Sequence, residues 1–301
     1  MNDIRFPLRQ HGRFPYSPIT ERRLPAWPDG HRLAVYVAMN LEQYAFGEGL
    51  VEDLVPGIPA PDVLNNSWRE YGNRVGAWRL LKLLQEHRLP VSLLVNSELY
   101  AVAPQLIAAY RDYGAEVAAH GRTNSQHQAD LDEPEERALI NAVTATITRH
   151  ERHPPAGWLS PWIAETERTP DLLGEAGYRY VLDWCMDDQP IWLKTRSGRI
   201  LAVPYPQELN DSAAIIGRQV SASEFADMIV DQFDEMLLQA EDQPLVMGIA
   251  LHAMIAGQPF RLRHLRRAFK HIADRSDQCW LTTAKQIADV MHAETRPESP
   301  A

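Results

Sequence analysis

The chain has 301 residues, 45% apolar and 23% charged, with a formal net charge of −10. That composition suits a globular domain and disfavours a general nucleic-acid or anionic-membrane binder, which would be basic. Two cysteines, Cys185 and Cys279, are too few for a disulfide scaffold, and no apolar run reaches the roughly 18 residues that span a bilayer.

The opening "MNDIRFPLRQHGRFPYSP" lacks the apolar core of a signal peptide, so a cytoplasmic location is expected. Residues 1–30 are rich in Pro and Arg and lack periodicity. They are expected to form an extended arm on the domain or on a neighbouring subunit, and residues 294–301 a frayed tail. Residues 31–293 are expected to form a single catalytic domain.

Within it, strands and helices alternate. "RLAVYVAMNL" is apolar almost throughout, as expected of a strand covered on both faces. A long loop follows, then a helix over "SWREYGNRVGAWRLLKLLQEH", with Ser67 as its cap and Val75, Trp78, Leu81 and Leu84 on one stripe. "VSLLVN" is a strand, and "ELYAVAPQLIAAYRDY" a helix interrupted at Pro104. "EVAAH" is a strand, and "EPEERALINAVTATITRH" a helix whose acidic start suits its dipole. "AGWLS", "TPDLLGEAG" and "RYVLDW" give strand, helix, strand. "PIWLKTRSGRILAVPY" predicts a hairpin turned at Ser197-Gly198. A helix over "SEFADMIVDQFDEMLLQA", a strand over "PLVMGIALH" and two further helices complete the pattern.

Repeated βα units imply a parallel sheet with helices outside, and about seven of them favour a closed or nearly closed barrel. In such barrels the chemistry gathers where strands end. The residues at those ends are Asn40, Glu42, Asn96, His120, Ser160, Asp183 and His252. A chemically capable residue ends nearly every strand.

Several segments then fit one family: "NLEQY", "EYGNRVGAWRLLKLL", "EVAAHGRTN", "GWLSPW", "YVLDWCMDDQP", "VPYPQELND" and "LHAMIAGQPFR". In these the chain resembles the polysaccharide deacetylase superfamily, whose fold is a distorted seven-stranded (β/α) barrel. Within it the chain looks most like the branch of cofactor-independent allantoinases and cyclic imide hydrolases (imidases). It departs from the sugar deacetylases in three places and from the allantoinases in one. Asn40 and Glu42 stand in the region of two aspartates, and Asn124 stands where a second histidine would follow His120. Leu159-Ser160-Pro161 replaces an arginine-proline pair, and Arg122 and Thr123 take positions that are aromatic in the allantoinases.

The resemblance implies a hydrolase of the C–N bond in a small cyclic imide, giving a half-amide. The alternatives are an allantoinase-like opening of a hydantoin ring and a metal-dependent N-deacetylation of amino sugars. Glu42 and His252 are the candidate base and acid. His120 is the candidate partner of the water or oxyanion, and Asp183 the candidate orienter of a histidine. Asn40, Asn96, Arg122, Asn124, Ser160, Trp162 and Trp184 are expected to bind substrate, with Ser160 as a hydrogen-bond donor. No cofactor is expected to be required. If zinc were bound, Glu42, His120 and Asn124 would be its ligands, though an asparagine oxygen is a weak donor. Cys185 is expected to be inert, and the chain to form a homo-oligomer, a dimer or tetramer, with no nucleic-acid or membrane partner.

Overall fold

The computed structural model describes residues 9–49 and 53–294. The expected tail from residue 295 and the first eight residues of the arm lie outside them. In chain order the regular elements are β1 (Leu33–Leu41), α1 (Val63–Tyr71), α2 (Ala77–His87), β2 (Val91–Val95), α3 (Leu99–Val102), α4 (Pro104–Asp112), β3 (Glu116–Ala119) and α5 (Glu133–Glu151). Next come β4 (Gly157–Trp158), α6 (Thr169–Glu175), β5 (Tyr180–Val181), β6 (Ile191–Thr195), β7 (Gly198–Ala202) and α7 (Ala222–Gln239). The chain continues through β8 (Leu245–His252), α8 (Ala253–Ala256), α9 (Pro259–Ala273), β9 (Trp280–Thr282) and α10 (Ala284–Glu294).

Seven parallel strands run in the order β7-β5-β4-β3-β2-β1-β8, with β6 added antiparallel to β7 and the short β9 beside β1. The sheet curls into a distorted barrel. Between β7 and β8 the wall is completed by loop backbone: Val246 donates to the Asp188 carbonyl and Ala250 to that of Leu209.

The two-residue period of a strand divides each one between two cores. Leu33, Val35, Val37, Met39 and Leu41 face the helices, whereas Ala34, Tyr36 and Ala38 face the barrel interior. The same alternation turns Asn40 inward. In β8 it sends Ile249 and Leu251 outward and Val246 and Ala250 inward, so His252, in register with Asn40, also faces in. Trp27 and α10 close the bottom of the barrel, where Trp27 is buried and its indole N–H donates to the Leu245 carbonyl.

The first helix begins earlier than its pattern predicts. Asp62, not Ser67, caps it by accepting from the Asn65 N–H, and a π-helical segment, Gly72–Gly76, joins α1 to α2. The extra backbone turns rotate the buried face. Trp78 is therefore exposed, while Ala77, Leu80, Leu81 and Leu84 pack inward. A Cβ on Gly76 would lie 2.0 Å from the Ala253 carbonyl oxygen, so glycine is what lets this helix approach the turn after His252.

Arm residues 9–30 lie on their own domain. Arg13 pairs with Asp171, the Lys194 N–H donates to the Arg13 carbonyl, and Arg22 pairs with Asp187. No described helix is long and apolar enough to cross a membrane.

Candidate active site

The strand ends of β1, β3, β4 and β8 meet around a cavity of about 160 Å³. Asn40, Glu42, His120, Asn124, Ser160, Trp162 and His252 line it, together with Tyr205 and Ile163. At its centre is the buried carboxylate of Glu42. The Tyr44 hydroxyl donates to Oε2 at 2.7 Å and the Asn124 amide donates to Oε1 at 2.7 Å. The Nε2 atoms of His120 and His252 each lie 3.5 Å from the same Oε1, longer than a normal hydrogen bond. Burial alone would raise the Glu42 carboxyl pKa. The imidazoles of His252 and His120, and the Tyr44 hydroxyl, outweigh burial and hold it below its ordinary value.

The protein fixes the tautomers of both histidines. His120 Nδ1 lies 2.8 Å from the Leu159 carbonyl oxygen, which can only accept, so Nδ1 carries the proton and Nε2 faces the cavity. His252 Nδ1 donates to Asp211 Oδ1 at 2.7 Å. The same carboxylate accepts the backbone N–H groups of His252 and Ala256, at 2.9 and 3.1 Å. Asp211, fully buried, thus fixes the ring and the backbone beneath it.

Asp183 takes a different part from the histidine-orienting one. Its two oxygens accept the backbone N–H and the hydroxyl of Ser160, each at 2.7 Å. The Ser160 hydroxyl proton is therefore spent on Asp183, and its oxygen accepts from the Trp158 indole at 3.0 Å. It has no proton left for a substrate, contrary to the donor role expected of it. Burial and the adjacent Asp183 push Glu165 well above the ordinary carboxyl range, and burial raises Asp183 too.

Two expected pocket residues turn away. Arg122 is exposed and pairs with Glu98. Trp184 packs edge-on against His11 and Phe14 of the arm, with ring centroids 5.2 and 5.7 Å away. Neither lines the cavity. Asn96 is buried behind it: its oxygen accepts the Gln43 N–H at 2.8 Å, and its amide donates to Asn124 Oδ1 at 3.0 Å. Asn40 donates to the Leu251 carbonyl and the Tyr205 hydroxyl. Cys185 is partly buried, and burial pushes its thiol up to about 12. That suits the inert role expected of it.

Trp162 and Ile163 form the remaining wall. Both have left-handed backbones, with φ of 63° and 56°. The Trp162 indole donates to the Asn124 carbonyl at 3.0 Å, and its ring meets Tyr44 edge-on. The loop rests on Gly121, where a Cβ would lie 2.6 Å from the Pro161 ring.

A metal held by Glu42, His120 and Asn124 would need the Asn124 oxygen. That oxygen is taken by Asn96, and the N–H end of the amide faces Glu42. The trio does not fit a metal ion. Among the described residues no three His, Cys, Asp or Glu side chains form a group suited to one.

Residues 70–181 match the family model described as polysaccharide deacetylase. The fold is that of the polysaccharide deacetylases. Over 98% of its length the chain superposes on all of Puue allantoinase, with a TM-score of 0.80 and 26% identity. A structure described as a "probable Polysaccharide deacetylase" from Pseudomonas aeruginosa gives the same score and identity, over 89% of this chain and 94% of that one. A Schizosaccharomyces pombe relative named "Putative polysaccharide deacetylase" is 25% identical over 297 residues, 89% of this chain and 92% of its own. Against this background Asp211 and Tyr44 are the residues that sequence reasoning passed over. Both sit inside segments that carry the resemblance, "QELND" and "NLEQY", but neither ends a strand.

Proposed function

We propose that the chain is a hydrolase that opens the C–N bond of a small cyclic imide, with allantoinase-like opening of a hydantoin ring as the second reading. The observation that carries the proposal is the Glu42 carboxylate, held at both oxygens by Tyr44 and Asn124 and facing two imidazoles across a small cavity. The cavity, about 160 Å³, is small. That suits one small ring better than an amino-sugar chain. The likeness to Puue allantoinase along nearly the whole chain favours a hydantoin as the second reading.

In this reading Glu42 takes a proton from water as the water oxygen bonds to a ring carbonyl carbon. The carbonyl oxygen becomes an oxyanion. His252, as an imidazolium whose Nδ1–H stays on Asp211, delivers its Nε2 proton to the ring nitrogen as the C–N bond breaks, and then regains a proton from Glu42 across the 3.5 Å between them. Imide plus water gives the acid and the primary amide at the two ends of one chain. The second carbonyl stabilises the departing nitrogen, so hydrogen bonds and fixed charges carry a lighter load than with a simple amide. His120 presents Nε2 beside the same reaction centre. No cofactor enters the scheme.

The test is product analysis on succinimide, allantoin and an N-acetylated chitin oligomer, with and without a chelator. Chelator-resistant formation of succinamic acid supports the proposal. Acetate release from the oligomer, with both rings left intact, contradicts it.

A further inference from the structure

We propose that Asn96 is a positioning residue: it turns the Asn124 amide so that an N–H, not an oxygen, faces Glu42. The inference rests on the reading of Glu42 as the base and adds a residue that touches neither substrate nor water.

The two ends of an asparagine amide are nearly the same size, so their partners decide which way it points. Two main-chain groups fix Asn96. The Gln43 N–H can only donate and faces Asn96 Oδ1 at 2.8 Å. The His120 carbonyl can only accept and takes the Asn96 amide N–H. Asn96 Nδ2 therefore also faces Asn124 Oδ1, at 3.0 Å. That leaves Asn124 Nδ2 to face Glu42 Oε1, at 2.7 Å.

The backbone contacts of Asn124 do not set its amide orientation, and Asn96 reinforces the one that the Glu42 carboxylate accepts. The Asn124 backbone N–H donates to the Gln43 carbonyl at 2.9 Å, and its carbonyl accepts the Trp162 indole. Those bonds hold its backbone and leave the amide free to turn. A turned amide would press an oxygen lone pair against a carboxylate oxygen at hydrogen-bond distance, away from screening water, which is costly. Asn96 and Asn124 are 0% and 1% exposed, so water does not substitute for either partner. The polarity of the chain Gln43, Asn96, Asn124, Glu42 is set at its main-chain end and delivered at the carboxylate.

Asn96→Asp tests this. It keeps the shape and still accepts from Gln43, but offers Asn124 an acceptor in place of a donor. In protein labelled with ¹⁵N-asparagine, the Asn124 side-chain signal is assigned by its loss in Asn124→Ala. Its carboxylate-bonded proton is expected downfield and slow to exchange, and both features are expected to vanish in Asn96→Asp. Asn96→Ala, which removes the donor without adding charge, is expected to do the same and serves if the aspartate variant does not fold. On succinimide, Asn96→Asp and Asn124→Ala are each expected to lower kcat about tenfold or more with little change in KM, as loss of one charge-assisted bond implies. The double variant is expected to be no slower than Asn124→Ala alone, because the two act through one contact. An Asn124 signal unchanged in both Asn96 variants, or fully additive kinetic losses, overturns the inference. A wild type that opens no ring would instead sink the functional reading, while the amide spectrum still decides the relay.

Discussion

Asp211 binds His252 twice, at the ring Nδ1 and at the backbone N–H, with distances of 2.7 and 2.9 Å. The double grip holds the imidazole in one tautomer and one direction at the end of β8. Asp211→Asn keeps the size but removes the charge and permits the wrong tautomer. It is expected to lower kcat by about 10²–10⁴-fold with the fold intact. Steady-state kinetics with circular dichroism checks this. A kcat within a factor of two of wild type would remove Asp211 from the mechanism.

Glu42 is the active form when ionised, and its surroundings hold its pKa below the usual carboxylate range. Activity is therefore expected to persist as pH falls through that range and to be lost only below it, as the proton goes on. Glu42→Gln is expected to cost about 10²–10⁴-fold at every pH. Tyr44→Phe removes the donor at Oε2 and is expected to move the acid limb upward. A limb that lies above the ordinary range in wild type, or does not move in Tyr44→Phe, contradicts this assignment.

Glu165 titrates well above its ordinary value because it is buried beside Asp183. A carboxyl raised in the folded state contributes stability that is fully present below its unfolded pKa. That contribution is lost as pH rises through the folded value. Glu165→Gln mimics the protonated form. Its Tm is expected to exceed that of wild type at alkaline pH, with the gap closing as pH falls below the ordinary carboxyl range. Thermal melts across pH test this, and a gap that does not depend on pH would contradict a raised Glu165 carboxyl.

Ile163 is a β-branched residue at φ 56°, a conformation that costs about 1–2 kcal/mol outside glycine. Ile163→Gly relieves that cost and removes the side chain that walls the cavity. Tm is expected to hold or rise, while turnover shifts from succinimide towards bulkier imides. A lower Tm with an unchanged substrate profile would show that Ile163 contributes packing and nothing more.

The sequence made the long strands legible because β1 and β8 are buried on both faces and read as unbroken apolar runs. The polar residues at their ends, Asn40 and His252, followed directly. β4 and β5 are only two residues long, so the apolar runs over "AGWLS" and "RYVLDW" reached beyond them. Partners were harder than positions. The contact between Asp211 and His252 spans 41 residues, and nothing local to "QELND" marks its carboxylate as the one that reaches β8. Asp183, just past the end of β5, was the natural candidate and instead supports Ser160. Arg122 and Trp184 sit beside motif residues, but one pairs outward with Glu98 and the other packs under the arm. Periodicity sets the face of a residue only within a regular element, and both lie past the ends of theirs.

The central claim is that this site opens a small cyclic imide with Glu42 as base. Its most direct test is the turnover of succinimide by the wild-type chain and by Glu42→Gln, after exhaustive chelation, with succinamic acid measured as product. The account predicts sustained ring opening by the wild type and its near-complete loss in a folded Glu42→Gln. Equal turnover by both, or acetate release from an N-acetylated oligomer with succinimide untouched, would contradict it.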